Sequence, residues 1–545
     1  MPQGYDFIVI GAGSAGCVLA SRLSEDLSAS VLLLEAGGRD NQGIVSVPAA
    51  WTTAMMMPGI TWGFAAEPEE SSGNRSLPLP QGRLLGGTSS INGMMYTRGQ
   101  AEDYDGWSRM GLAGWSFAEV LPYFRRSESS WRGEGRYHGG GGPLTVMPQP
   151  PDPFLTPKFQ AAARKAGLGV NDDFNGAQQA GIGLPDFTIR NGRRHSTSQA
   201  YLKPALKRAN LTVRTNALVA RVGISGGRAT GVEFAVGGQL QTAVAAREVI
   251  VCGGAFNSPQ ILMLSGIGPA DHLRQAGITP VLDLPGVGQN LQDHPMVLVA
   301  FEAAGPFTME SSLRLDRLAL AGLQWLLSGS GVLARMPLPA QGFVALAPGE
   351  SRPDTQFQVS AVSMMARPWF PGWRAGAGHQ ISVSALQLNP RGRGDVTLRS
   401  KDPRDPPRIR LGLFKEAADK QHARDMIRFI RGLFATEPVA GLVKQELAPG
   451  PAARDGEALE ACLRSMIQTG MHPASSCAMG TGDRAVVDAQ LRVRGIDGLR
   501  VVDTSVMPDV VRGNTNAPAI MIAEKAADMI LGRQPLPRAE LPART

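Results

Sequence analysis

Phe7-Ile8-Val9-Ile10-Gly11-Ala12-Gly13-Ser14-Ala15-Gly16 is the stretch that decides the fold of this chain. The apolar run reads as a buried strand, and the three glycines behind it allow a sharp turn, an approach of bare backbone N–H groups to a pyrophosphate, and close helix–sheet packing. A second apolar run, Val31-Leu32-Leu33-Leu34, ends in Glu35-Ala36, and the acid falls about 20 residues past the last glycine, where a carboxylate accepts hydrogen bonds from an adenosine ribose. A carboxylate there repels a 2′-phosphate, which disfavours NADP. Strand, glycine turn, helix, strand and acid together predict a dinucleotide site; an ordinary tight turn is the plainer reading of the glycines alone.

Outward from this unit, 545 residues are too many for one simple core. A net charge of +7 is spread along the chain rather than gathered into basic blocks, which fits ordinary surface chemistry and excludes a nucleic-acid footprint, while leaving room for peripheral contact with an anionic membrane. Cys17, Cys252, Cys462 and Cys477 fall in no paired spacing, so neither disulfides nor a metal site is expected. A first strand starting near Tyr5 leaves no space for a signal peptide, and no run of apolar residues reaches membrane-spanning length. The expected address is cytoplasmic, with possible membrane association.

Arg132 to Pro143 carries six glycines and reads as a surface loop. Val213 to Val222, Ala229 to Phe234 and Val249 to Cys252 read as strands. Between Phe307 and Arg393 the texture changes to scattered Pro, Met and Trp over weak strand patterns, which suggests a substrate-facing domain. Apolar spacing predicts helices over Glu416 to Phe434, Leu459 to Thr469 and Ala517 to Leu531. The Pro-rich tail, 536–545, is expected to fray.

Gly82-Arg83-Leu84-Leu85-Gly86-Gly87-Thr88-Ser89-Ser90-Ile91-Asn92 combines glycines, hydroxyls and an amide, suited to closing around a flat polar ring, or to capping a helix. The segment from Gly82 through Tyr96 to Asp105 resembles the first signature of the glucose-methanol-choline (GMC) flavoprotein oxidoreductases. Gly254-Ala255-Phe256-Asn257-Ser258-Pro259-Gln260 and the residues on to Gly268 resemble the second. With the N-terminal fingerprint and a C-terminal His/Asn pair in the family's order, the resemblance covers nearly the whole chain, in particular the choline dehydrogenase-like alcohol dehydrogenase branch.

The resemblance implies an α/β chain in which a Rossmann-like FAD-binding domain (1–160, 195–300 and 462–535) interleaves with an α+β substrate-binding domain (161–194 and 301–461). It implies FAD, with Gly11, Gly13, Ser14, Ala15, Gly16, Glu35 and Ala36 at the ADP half. Arg83, Gly87, Thr88, Asn92, Gly93 and Met95 would lie along the flavin end, Val219 at the adenine, Asp503 at the middle, and Asn516 and Pro518 at the start of the last helix. Some members attach the flavin through a histidine whose place is Ile91 here, so non-covalent FAD is expected.

Imidazole suits proton removal near neutrality, and His472, in Met471-His472-Pro473, occupies the family's catalytic position; unaided, a lone His before Pro is more often structural. Ser475-Ser476 replaces the common Gly-Thr nearby. Asn514 matches the second member of the active-site pair, and its amide could hold a substrate oxygen; Asn514 and Asn516 also suit N-capping of the terminal helix.

Choline-oxidising members hold the quaternary ammonium with a carboxylate and aromatic rings. The matching stretch, Leu338 to Phe343, has no acid, and Met471 precedes the base. Trp62, Met365 and Trp369, like neighbouring Met364, Phe370 and Trp373, suit a pocket for aliphatic or aromatic alcohols, although each also suits core packing. The implied reaction is oxidation of an alcohol, with electrons passed to a quinone or other carrier. The alternatives are an oxidase that makes H2O2 from O2, and a lyase that keeps FAD as scaffold.

Overall fold

The computed structural model of the protein describes residues 3–542. Strand β1 (Gln3–Ile10) lies inside a seven-stranded sheet, and Phe7, Ile8 and Val9 are wholly buried. A strand covered on both faces must be apolar at consecutive positions, which is how this run reads in the sequence. Helix α1 (Ser14–Leu23) starts behind the glycine turn and returns the chain to β2 (Val31–Leu34), parallel to β1.

Strand β3 (Leu211–Arg214) extends the parallel edge. Strands β4 (Ala217–Ser225), β5 (Arg228–Val236) and β6 (Gln239–Val251) then form an antiparallel meander. The order is β3-β2-β1-β6-β5-β4, with Leu499–Val501 paired to the far half of β6. Two expectations are corrected here. The strand expected over Val213 to Val222 is two strands, broken at Asn216, which adopts φ +54°. The strand expected at Val249 to Cys252 is the end of one 13 residues long, whose earlier residues are mostly exposed, with only Ala243 and Ala245 buried among them.

Helix α2 (Gly254–Leu264) leads from β6 toward a second seven-stranded sheet, antiparallel throughout. Its main strands are β7 (Pro295–Ala303), β8 (Ala340–Val344), β9 (Thr355–Ser360), β10 (Gln380–Gln387) and β11 (Val443–Ala448), in the order β11-β7-β10-β9-β8. Gly181–Gly183 adds beyond β8, and Gln468–Thr469 pairs with β7. Between β7 and β8 runs α3 (Leu315–Ser328), a helix the scattered texture of this region did not announce. Between β10 and β11, α4 (Ala417–Phe434) buries Met426, Ile427 and Ile430 against the sheet.

The helix expected over Leu459 to Thr469 spans Gly456–Met466 and gives way to the short strand beside β7. This segment packs with the second sheet, as do all of β7 and the helix Thr156–Lys165. The second body thus crosses the expected limits near residues 160, 300 and 462. The last helix, α5 (Asn516–Ile530), packs on α1 and on the helix Phe117–Ser127. Its buried Glu524 meets Arg22 at 2.9 Å and Arg126 at 2.8 Å. The tail is the other correction. Leu536 N donates to Tyr123 Oη at 3.2 Å, Ala539 N donates to Ala118 O at 2.8 Å, and Leu536, Ala539 and Leu541 rest on the first core. Apolar side chains placed between the prolines anchor a segment whose composition alone suggests freedom; residues 543–545 lie outside the described residues.

Candidate active site

One cavity of ≈ 730 Å³ runs from the glycine turn of the first sheet to strands β9 and β10 of the second. At its nucleotide end Gly11 adopts φ +97°, and a Cβ on Gly16 would stand 1.8 Å from the Gly11 carbonyl oxygen, so α1 can pack on the turn only with glycine there. Neither α1 nor α5 has a side-chain N-cap, and Gly13, Ser14, Asn516 and Ala519 line the cavity, so orphan N–H groups of both helices are available to a ligand. Glu35 accepts from Ala12 N at 2.8 Å and Gly37 N at 2.7 Å, and burial pushes its carboxyl up to about 7 against those hydrogen bonds. A buried acid fixed by its own turn, with two open helix N-termini beyond it, fits a dinucleotide cofactor.

Ala15, Ala36, Val219, Gly87, Thr88, Asn92, Gly93 and Met95 also line the space, as does the buried Ile91. Asp503 lines it too, but its carboxylate is engaged elsewhere: Oδ2 accepts from Gly254 N at 2.8 Å and Ser258 Oγ at 2.6 Å, and Oδ1 from Ser505 N at 2.8 Å. It therefore pins the start of α2. Asn516 accepts from Ser14 Oγ at 2.7 Å and joins α5 to α1. Other expected contacts fall outside the cavity lining. Gly16 supports the turn from behind, Pro518 is buried in α5, and Arg83 lies with its guanidinium 5.0 Å from the centroid of Trp62. Trp62 does line the cavity, whereas Met365 is 70% exposed and Trp369 hydrogen-bonds the Glu310 carbonyl at 3.1 Å.

At the other end stand His472 and Asn514, with Met471 beside them. Asn514 Oδ1 accepts from Thr97 Oγ1 at 2.9 Å and from Gln356 Nε2 at 3.3 Å, which fixes the amide so that Nδ2 faces His472 Nε2 at 2.9 Å. An amide NH2 only donates, so Nε2 is the unprotonated nitrogen and the ring proton sits on Nδ1. Nδ1 lies 3.0 Å from Nδ1 of His294 and donates to it. Asp293, just before His294, accepts through Oδ1 from the backbone N–H groups of both His294 and His472 at 2.8 Å each; Thr469 donates to its other oxygen. The loop that carries His472 is thus fastened to the start of β7.

Burial pushes the His472 imidazole down to about 4 and His294 well below the ordinary histidine value, while it raises Asp293 to about 6. Both rings are neutral near pH 7. The loop also contains two non-glycine residues in the left-handed region, Met471 at φ +62° and Ser475 at φ +73°. Sequence reasoning missed His294 and Asp293. The only local signal is that His294-Pro295 repeats the His-Pro dipeptide of His472-Pro473.

Toward the second sheet the lining turns apolar, with Met296, Leu386, Met309 and Leu318, interrupted by an uncharged polar strip of Gln358, Ser360 and Ser384. Among the described residues, the only acids lining the cavity are Glu35 and Asp503, both in the nucleotide half, and Arg367 at the mouth is the one arginine.

Two family models, both described as GMC oxidoreductase, match residues 5–296 and 390–523. Among curated proteins, the chain is 44% identical over 538 residues to an oxygen-dependent choline dehydrogenase of Rhizobium etli, covering 98% of this chain and 96% of the relative. It is 42% identical to one from Photobacterium profundum, covering 99% and 95%. Solved structures of similar architecture include a pyridoxine 4-oxidase from Mesorbium loti (TM-score 0.86, 28% identity, 97% of this chain and 100% of that one). A formate oxidase from Aspergillus oryzae superposes with TM-score 0.90 at 26% identity over 97% and 98%, and a fungal aryl-alcohol oxidase with 0.83 at 27% over 98% and 99%.

Proposed function

The chain belongs to the GMC oxidoreductase family and is an FAD-dependent enzyme acting on a CH–OH group; from that premise we propose that its substrate is a neutral aliphatic or aromatic alcohol and that His472 is the base. When bound, FAD supplies the acceptor for the hydride of the carbinol carbon. As an alcohol binds, its hydroxyl displaces the Asn514 N–H from the lone pair of His472 Nε2, which takes the hydroxyl proton, while Asn514 Nδ2 donates to the alcohol oxygen and holds it in place. The observation that carries this reading is that fixed pair of nitrogens, an acceptor and a donor, at one end of the cavity. His294 keeps the proton of His472 on Nδ1, and the uncapped first turn of α5 stabilises negative charge placed beside it.

Among the described residues no carboxylate lines the substrate half, which supports a neutral substrate, because a quaternary ammonium there would have no anionic partner in the lining. FAD is held without a covalent bond, since Ile91 offers no nucleophile at the expected attachment point. Among the described residues no helix is long and apolar enough to cross a membrane; a cytoplasmic address with peripheral membrane contact completes the proposal.

Anaerobic mixing of the holoenzyme with choline and with neutral alcohols tests the substrate class by the loss of oxidised-flavin absorbance. Neutral alcohols should bleach the flavin; faster bleaching by choline would contradict the reading. The acceptor is proposed to be a quinone or another carrier. A second reading, direct use of O2, is favoured by the naming of relatives and structural neighbours as an oxygen-dependent choline dehydrogenase, a pyridoxine 4-oxidase and an aryl-alcohol oxidase. Admitting air after reduction separates the two: slow reoxidation supports the carrier, and reoxidation at the turnover rate with peroxide release supports the oxidase.

A further inference from the structure

Helix α3 is apolar on two opposite sides. Leu318, Ala321 and Trp325 face inward, the first of them lining the cavity. Leu320, Leu323 and Leu327, at helical spacing on the other side, are 69%, 54% and 80% exposed, and Leu326 beside them is exposed as well. A helix apolar all round is ordinarily buried, yet this one leaves its outer side open. The Ser363–Gly378 turn is tied to its start: Trp369 N donates to Leu313 O at 3.1 Å and Leu315 N donates to Trp369 O at 2.9 Å. That turn adds Trp373, 60% exposed, and Phe370.

The charges left without an ion-pair partner here are positive. Arg317, Arg367 and Arg374 on these segments, and Arg335 on the stretch after the helix, are exposed and form no salt bridge among the described residues, whereas Asp316, the acid of the helix, is held by Arg314 through two hydrogen bonds of 2.7 and 2.6 Å. Exposed leucines and a tryptophan edged by arginines are the composition of a surface that settles into a lipid headgroup layer. Leu318, Met364 and Arg367 of the same segments line the cavity, so the face lies at its mouth.

We propose that the outer side of α3 and the Ser363–Gly378 turn dock on an anionic bilayer surface, placing the mouth of the cavity against the lipid. An apolar alcohol or a lipid-soluble acceptor then enters without crossing water. The docking itself stands on the surface chemistry; only the purpose of the mouth rests on the alcohol-oxidising reading, and vesicle binding is read without turnover, so either can fail alone.

Sedimentation of the holoenzyme with vesicles of phosphatidylcholine, alone and mixed with phosphatidylglycerol, is the test. Binding is expected to the mixed vesicles and to weaken with salt. Leu323→Glu with Leu327→Glu should reduce it by roughly ten-fold or more, and Arg374→Glu by roughly five-fold. Turnover of a water-soluble alcohol with a soluble dye should be unchanged in both variants. Trp373→Ser provides a second apolar variant if the paired glutamates disturb folding, judged by flavin content. Failure of the wild-type holoenzyme to bind mixed vesicles would overturn the proposal. So would sedimentation velocity showing a dimer that the glutamates convert to monomer, because the face would then belong to a second copy.

Discussion

At His472 the balance of forces is set by burial. An imidazole removed from water resists protonation, so the neutral form persists to lower pH than for a free histidine. The ring accepts a proton only when neutral. The rate of flavin reduction at low alcohol concentration should therefore hold as pH falls through 6.5 and decline as it approaches about 4; an acid limb centred at 6.5 would mean the ring is solvated. Ser475 gives a second prediction. A side chain in the left-handed region costs roughly 1–2 kcal/mol, and its Oγ is buried without a partner. Ser475→Gly should raise the melting temperature, and a lower one would show that the hydroxyl contributes more than the strain costs. His472 and Asn514 were legible because each sits in a patterned motif. His294 and Asp293 were not, because their role depends on a ring brought to them from 178 residues away in the chain.

Among the elements, legibility followed periodicity and burial. The strand–turn–helix unit and α4 carry strong local patterns, and the structure places them where those patterns do. Strand β6 is mostly exposed up to Glu248 and continuously buried only at Val249, Ile250 and Val251, so only its end was visible. Helix α3 was hidden because its apolar residues lie on both sides and show no single stripe. At the end of β2, Glu35 serves two purposes, receiving the Ala12 and Gly37 amides and facing the nucleotide half of the cavity. Glu35→Ala should lower the flavin content of the purified protein as well as its stability. Full flavin occupancy would show that the acid only braces the turn.

Across the whole molecule, two sheets with separate cores meet at one cavity, and the base belongs to the seam between them. The loop of His472 follows a short strand of the second sheet, is held by Asp293 at the start of β7, and hydrogen-bonds Asn514 just ahead of α5 on the first body. The interleaving is implied by the family resemblance, but its boundaries escape sequence reading because each lies within a continuous stretch, as at residues 295–303. The tail belongs to the same scale: removing residues 536–545 uncovers apolar surface near Tyr123 and should lower the melting temperature, with a loss of about 1–3 kcal/mol. An unchanged melting curve would show that the tail contacts are marginal.

The central claim is that His472 removes the alcohol proton beside the flavin. Rapid anaerobic mixing of His472→Ala holoenzyme with a bleaching alcohol tests it most directly. The variant should retain FAD and bleach roughly 10²–10⁴-fold more slowly than the parent; bleaching at the parent rate would contradict the account.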